Sequence, residues 1–138
     1  MKKQHAMIIP QMSELDLARL QRLLDQNDGD DRAYLDALRE RLAQAQGVEP
    51  REIPADVVTM NSRVVYQDDD ASMTLTLVYP EQADAAAGRV SVLSPIGSAL
   101  LGAHTGQSVT CRFPDGREKM LKVRTIEFQP EASGQFSL

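Results

Sequence analysis

The chain reads as an α+β protein: an N-terminal antiparallel helical hairpin (a short coiled coil), followed by an antiparallel β-sheet domain that carries one short helix. Three observations predict this. Two leucine-periodic stretches flank a breaker, Asn27-Asp28-Gly29. From Asp56 onward the pattern switches to alternating apolar and polar residues, as in half-buried strands. Between two such strands, Ser94-Pro95 opens a short apolar stretch closed by Gly102, which is the chemistry of a capped helical turn.

Each element follows in order. Met7 to Met12 is a lead-in that Pro10 biases toward extended backbone. Ser13 is placed to cap a helix over Glu14 to Gln26, with Asp16 as a capping-box partner. Leu17, Leu20 and Leu24 share one face, with Leu23 beside them. Asp30 or Asp31 caps a second helix, Arg32 to Gln46, with a seam of Leu35, Leu38, Leu42 and Ala45; Gly47 ends it. Each arm is then roughly 20 Å long, at 1.5 Å of rise per residue. Pro50 and Pro54 bracket a linker, Val48 to Ala55, so the chain divides into a hairpin (residues 1–48) and a second domain (residues 49–138).

Arg63 to Gln67 and Met73 to Tyr79 read as strands around the acidic tip Asp68-Asp69-Asp70. Met73, Leu75, Leu77 and Tyr79 form the buried side of the second. Pro80 to Gly88 is a loop, rich enough in alanine to hold a helical turn. Val90, Val92 and Leu93 form a short strand before the Ser94 cap. Ile96, Ala99 and Leu100 make one apolar helix face. Thr105-Gly106-Gln107 turns into a strand from Ser108 to Phe113, and Pro114-Asp115-Gly116 turns into a last strand near Lys119 to Phe128.

Composition excludes several classes. The 138 residues carry a net charge of −5, which argues against non-specific binding of DNA or RNA. No apolar run approaches a membrane span, and Pro10 stops the short run after Lys2-Lys3, so no signal peptide is read and the cytoplasm is expected. The single Cys111 alternates with Val109 and Phe113, which predicts a buried thiol; a nucleophilic role would need His5 or His104 beside it. No His, Cys or carboxylate set falls at metal-ligand spacing, and neither a phosphate-binding loop nor a dinucleotide turn is present. The expectation is a protein that is not an enzyme and holds no cofactor or metal.

One charged cluster stands out. Asp25, Asp28, Asp30 and Asp31 lie between Arg22 and Arg32 with no basic residue among them. Asp30 and Asp31 suit the start of the second helix. Asp25 sits in the last turn of the first, where negative charge is mildly unfavourable. Asn61-Ser62 before a strand reads as a turn bonding its own backbone, or as a surface near the linker that sets the angle of the hairpin.

Ser94-Pro95-Ile96-Gly97, then Ala99-Leu100-Leu101-Gly102 and Gly106-Gln107-Ser108-Val109, resemble the C-terminal domain of the GreA/GreB transcription elongation factors. Val57 to Val64 and Phe128 to Gly134 resemble a short-armed branch of that family, the regulators of nucleoside diphosphate kinase. The resemblance implies an FKBP-like second domain. It implies that Ser94, Pro95, Ile96 and Gly97 contact RNA polymerase at the rim of its secondary channel. In the longer-armed factors, acidic tip residues enter that channel and help hold a catalytic Mg²⁺; arms this short would fall short of it. The implied function is non-enzymatic regulation by competition with Gre-type factors, with an indirect effect on nucleoside diphosphate kinase levels. Three alternatives stay open: transcript cleavage through Asp25, Asp28, Asp30 or Asp31, direct partnership with nucleoside diphosphate kinase, and prolyl isomerisation.

Overall fold

A computed structural model describes residues 11–27 and 34–134. Of the sequence expectations, His5, the lead-in before Gln11, and Asp28, Gly29, Asp30 and Asp31 lie outside the described residues.

Strand β1 (Gln11–Ser13) leads directly into helix α1 (Glu14–Gln26). Ser13 caps it as expected, its Oγ accepting the Asp16 N–H at 3.1 Å. Leu20 and Leu24 are buried against Leu35, Leu38 and Leu42 of helix α2 (Tyr34–Gln44), so the leucine seam exists. Asn27 closes α1, its side-chain amide donating to the Leu23 carbonyl at 2.9 Å. Arg39 of α2 reaches across to the Leu24 and Asn27 carbonyls at 3.5 and 3.3 Å. A cation from the neighbouring helix thus faces a C-terminus that has no basic residue of its own in its last turn.

The end of α2 departs from expectation. The helix stops at Gln44, and Gln46–Val48 form strand β2, which pairs in parallel with β1. Gly47 is therefore a strand residue rather than a helix terminator. A Cβ there would sit 2.9 Å from Glu14 Cγ and 3.6 Å from Leu17 Cδ2, so glycine lets β2 lie against the first turn of α1. The helical period ran on through Ala45 because one alanine suits either structure.

After a single 3-10 turn at Pro50–Glu52 and the buried Ile53, the chain builds a five-stranded sheet. Its strands are β3 (Arg63–Asp68), β4 (Ala71–Val78), β5 (Arg89–Ser91), β6 (Ser108–Arg112) and β7 (Glu118–Phe128), in the order β5-β4-β3-β7-β6. Helix α3 (Pro95–Leu100) packs against β6. The expected antiparallel sheet is found except at one edge, where β5 runs parallel to β4. The Pro80–Gly88 loop contains two 3-10 turns and carries the chain back to the start of that edge.

The core face takes Val64, Leu77, Leu100, Cys111, Leu121 and Val123, all with no accessible surface. Burial pushes the Cys111 thiol up, in keeping with a protonated packing residue. Met73 is a correction: it stands 45 % exposed near the hairpin tip, while Val78 is buried instead. The strand overhangs the core at its start, so strict alternation overestimates burial there.

Leu38→Ala is expected to lower stability by about 2–5 kcal/mol by opening a cavity in the hairpin seam. Leu15→Ala, at a half-exposed position of the same hairpin, should stay within about 0.5 kcal/mol. Urea midpoints at constant slope check both.

Candidate functional site

The unit that begins at Ser91 is built from short-range bonds. Ser94 Oγ accepts the Gly97 N–H at 3.0 Å and donates to the Ser91 carbonyl at 2.7 Å. Ser91 Oγ accepts the Leu93 N–H at 3.0 Å. Pro95 occupies the first turn of α3, where no N–H is needed. Gly102, at φ 82°, turns the chain out, and its N–H donates to the Val58 carbonyl at 2.9 Å.

Ser94, Pro95 and Ile96 are half-buried and form the surface of this unit. Gly97 does not join them: it is buried, and a Cβ there would run into the Ser91 carbonyl oxygen. Its place in the sequence motif is explained by close packing of the helix on the turn before it.

A residue that sequence reasoning missed holds α3 to the hairpin. Arg41 of α2 donates from one guanidinium nitrogen to the Ser98 and Leu101 carbonyls, at 2.7 and 3.0 Å. Those carbonyls are at the negative end of α3. Burial lowers the Arg41 pKa, but a guanidinium remains charged in a protein. On the helical wheel it reads as an ordinary exposed arginine.

A second junction is also carried by groups far apart in sequence. Asp16, 5 % exposed, accepts a 2.8 Å hydrogen bond from the Tyr79 hydroxyl at the end of β4. Asp16 thus serves this contact rather than a reciprocal capping box. Burial raises its carboxyl pKa, and the Tyr79 bond and Arg19 charge offset part of the rise. Burial and the Asp16 charge push the Tyr79 phenol far above its ordinary range. Arg19 lies 5.9 Å from the centre of the Tyr79 ring.

The Asn61-Ser62 motif joins this junction. Ser62 N–H donates to the Thr59 carbonyl at 3.1 Å, and Ser62 Oγ accepts the Thr59 N–H at 3.0 Å, so the turn bonds its own backbone as expected. Asn61 adopts φ 68°, which asparagine tolerates. Thr59 Oγ1 donates to Glu131 at 2.7 Å, and burial raises the Glu131 pKa with help from Asp16. Gln129 donates to the Pro54 and Val57 carbonyls at 2.8 and 2.7 Å, tying the C-terminal tail to the linker.

Residues 57–64 and 128–134 therefore work as fasteners, and the capped helix keeps part of its surface open only at Pro95 and Ile96. Of the acidic tip, only Asp25 is described; it is exposed in the last turn of α1.

Residues 53–128 match the family described as the C-terminal domain of the transcription elongation factors GreA and GreB. The chain belongs to the GreA/GreB family. Residues 11–48 match the family described as the Rnk N-terminus. The "Regulator of nucleoside diphosphate kinase" of Escherichia coli K12 is 40 % identical over 129 residues, covering 92 % of this chain and 95 % of that one. A GreA factor from Chlorobaculum parvum is 37 % identical over 87 residues, 61 % of this chain and 55 % of that protein. The solved GreA/GreB elongation factor of Nitrosomonas europaea superposes with a TM-score of 0.73 at 36 % identity, covering 86 % of this chain and 99 % of that one. No helix among the described residues of this GreA/GreB-family chain is long and apolar enough to cross a membrane.

Two outcomes follow from the geometry. Gly97→Ala is expected to cost about 1–3 kcal/mol, since the Ser91 carbonyl cannot yield without moving the turn; denaturation midpoints read it. For Asp16 the sign is set by its raised pKa. Between the ordinary 3.8 and the higher folded value, the folded state binds more protons than the unfolded state, so stability falls as pH rises through that window. Asp16→Asn keeps an acceptor for Tyr79 and should flatten this part of the stability–pH curve.

Proposed function

We propose that this GreA/GreB-family protein is a non-enzymatic transcription regulator that binds RNA polymerase at the rim of the secondary channel and competes there with Gre-type factors. The observation that carries the reading is the length of its arm. Helix α1 has 13 residues. That is about 20 Å at 1.5 Å of rise per residue. Docked at the rim, such an arm lies in or beside the channel entrance and leaves Asp25, with Asp28, Asp30 and Asp31, short of the catalytic Mg²⁺. Pro95 and Ile96 make the contact, while Ser94 and Gly97 hold their angle. The protein works in the cytoplasm, with no cofactor and no direct hold on DNA.

The 40 % identical relative is named for nucleoside diphosphate kinase. On this reading the kinase responds through transcription. The same name supports a second reading, in which the protein binds the kinase directly.

Core RNA polymerase is expected to bind the protein, and excess Gre factor to abolish that binding. Ile96→Val, which keeps the core packing and trims the surface, should weaken it by a few-fold with the fold unchanged. Binding that survives competition would move the site elsewhere on the polymerase. Co-purification with the kinase and not the polymerase would favour the second reading. Mg²⁺-dependent shortening of RNA in a stalled complex would restore a cleavage role to the tip.

A further inference from the structure

Strand β6 presents an open edge. Val123 N–H donates to the Gln107 carbonyl and Phe113 N–H to the Arg117 carbonyl, each at 2.9 Å. With the register Ser108↔Lys122 through Arg112↔Glu118, these bonds set the phase of the ladder. Gln107, Val109, Cys111 and Phe113 turn their peptide groups toward β7, and Ser108, Thr110 and Arg112 turn theirs away. None of those outward groups has a partner among the described residues. A row of N–H and C=O groups is thus offered along roughly 13 Å, at about 3.3 Å per residue. The opposite edge, β5, is only three residues long, pairs with Asp84 through Arg89, and is flanked by the two 3-10 turns. Strand β6 has no proline and no bulge to guard it.

Beside this edge runs a slot. Two adjoining hollows, of about 270 and 400 Å³, lie between α2, α3 and β6. The larger is lined by the consecutive residues Ser108, Val109 and Thr110, together with Ala37 of α2 and Ala99 of α3. Lining by consecutive strand residues places the space against the edge itself and not over one face of the sheet. Alanine at 37 and 99 leaves it unfilled.

The two sides of the slot differ in chemistry. Between α2 and α3 the walls are Ala37, Ala99 and Val109, with Glu40 and Arg41 of α2 and Gln107 beside them. The other side continues the outer face of the sheet, where Arg63, Arg89, Arg112, Lys122 and Arg124 are exposed. Among the described residues only Arg112 of these has a carboxylate partner, Glu118 at 3.1 Å. Cations therefore outnumber Glu118 on this face, on a chain whose net charge is −5.

We infer that β6 and its slot receive an extended segment of a partner protein as a sixth strand, with small apolar side chains on Ala37, Ala99 and Val109 and acidic side chains toward Arg112 and Lys122. Main-chain bonds supply the affinity of such strand addition, and alternate side-chain positions its specificity. Helix α2 stands across the slot, which admits one strand and keeps out the sheet of a second copy. A nucleic acid would use the cations but has no use for the row of peptide groups. The inference does not depend on the polymerase reading.

The test is amide exchange on isotope-labelled protein with a short synthetic peptide of alternating valine and glutamate. Exchange at Ser108, Thr110 and Arg112 is expected to slow by about tenfold or more. The same peptide methylated on alternate amide nitrogens should have no effect. Thr110→Pro removes an outward N–H that the sheet does not use, and should abolish the protection while the Val109 and Cys111 amides keep theirs. Lys122→Glu should weaken the peptide by about fivefold with the fold intact. Absence of protection, an equal effect from the methylated peptide, or full binding by Lys122→Glu would overturn the inference. So would edge amides already protected in a concentration-dependent way, which would give the edge to a second copy. Displacement of the peptide by an oligothymidylate would give the face to nucleic acid instead.

Discussion

The arrangement of this molecule depends on one partly buried guanidinium. Arg41 leaves the solvent face of α2 and ends on two carbonyls, those of Ser98 and Leu101, at the close of α3. Partial burial of a charge is costly unless it is met by well-placed acceptors, and here the acceptors carry the negative end of a helix. The contact fixes α2 against α3, which itself packs on β6. The slot along the sheet edge and the outward aspect of Pro95 and Ile96 are consequences of that placement. Helix α3 has only six residues, so its stability comes from tertiary contacts: the buried Ala99 and Leu100 and the Arg41 bonds.

The second contact between hairpin and sheet is polar as well. Asp16 and Tyr79 form one short hydrogen bond, and Thr59, Ser62 and Glu131 form a second, separate set, with both carboxyls raised by burial. An apolar contact of the same size would stabilise at least as much and orient less, because dispersion is indifferent to a small rotation whereas a 2.8 Å hydrogen bond is not. The residues that carry family resemblance on either side of the sheet are thereby accounted for by geometry.

Charge is distributed in the same economical way. Among the described residues the acidic side chains are spread over α1, α2, the Asp68-Asp69-Asp70 tip, several loops and β7, while one sheet face holds a band of arginine and lysine. Net charge averages over this segregation, so a count of ionisable residues describes the solubility of the chain and not the character of any one face. Alternation in a strand does reveal the face, but only when the strand partners are known, since Arg63, Arg89 and Lys122 come from three separate strands.

What the residues alone determined is what closes over three or four positions. The Ser13 and Ser94 caps, the leucine seam and the Asp68–Asp70 hairpin tip all rest on local periods and local bonds, and they stand where the sequence puts them. The motifs of α3 and its flanks were equally legible, because a glycine against a carbonyl and a proline at a helix start leave a fixed spacing. Tertiary structure decided the rest. The parallel pairing of β1 with β2, the reversed direction of β5, and the bonds of Arg41 and Asp16 join residues 13 to 63 positions apart. No period in the chain encodes such pairs, since each partner alone is an ordinary polar or glycine-bearing stretch. Only the closed fold removes water from both at once, and with that the same side chains change from solvated surface to the fastenings of the molecule.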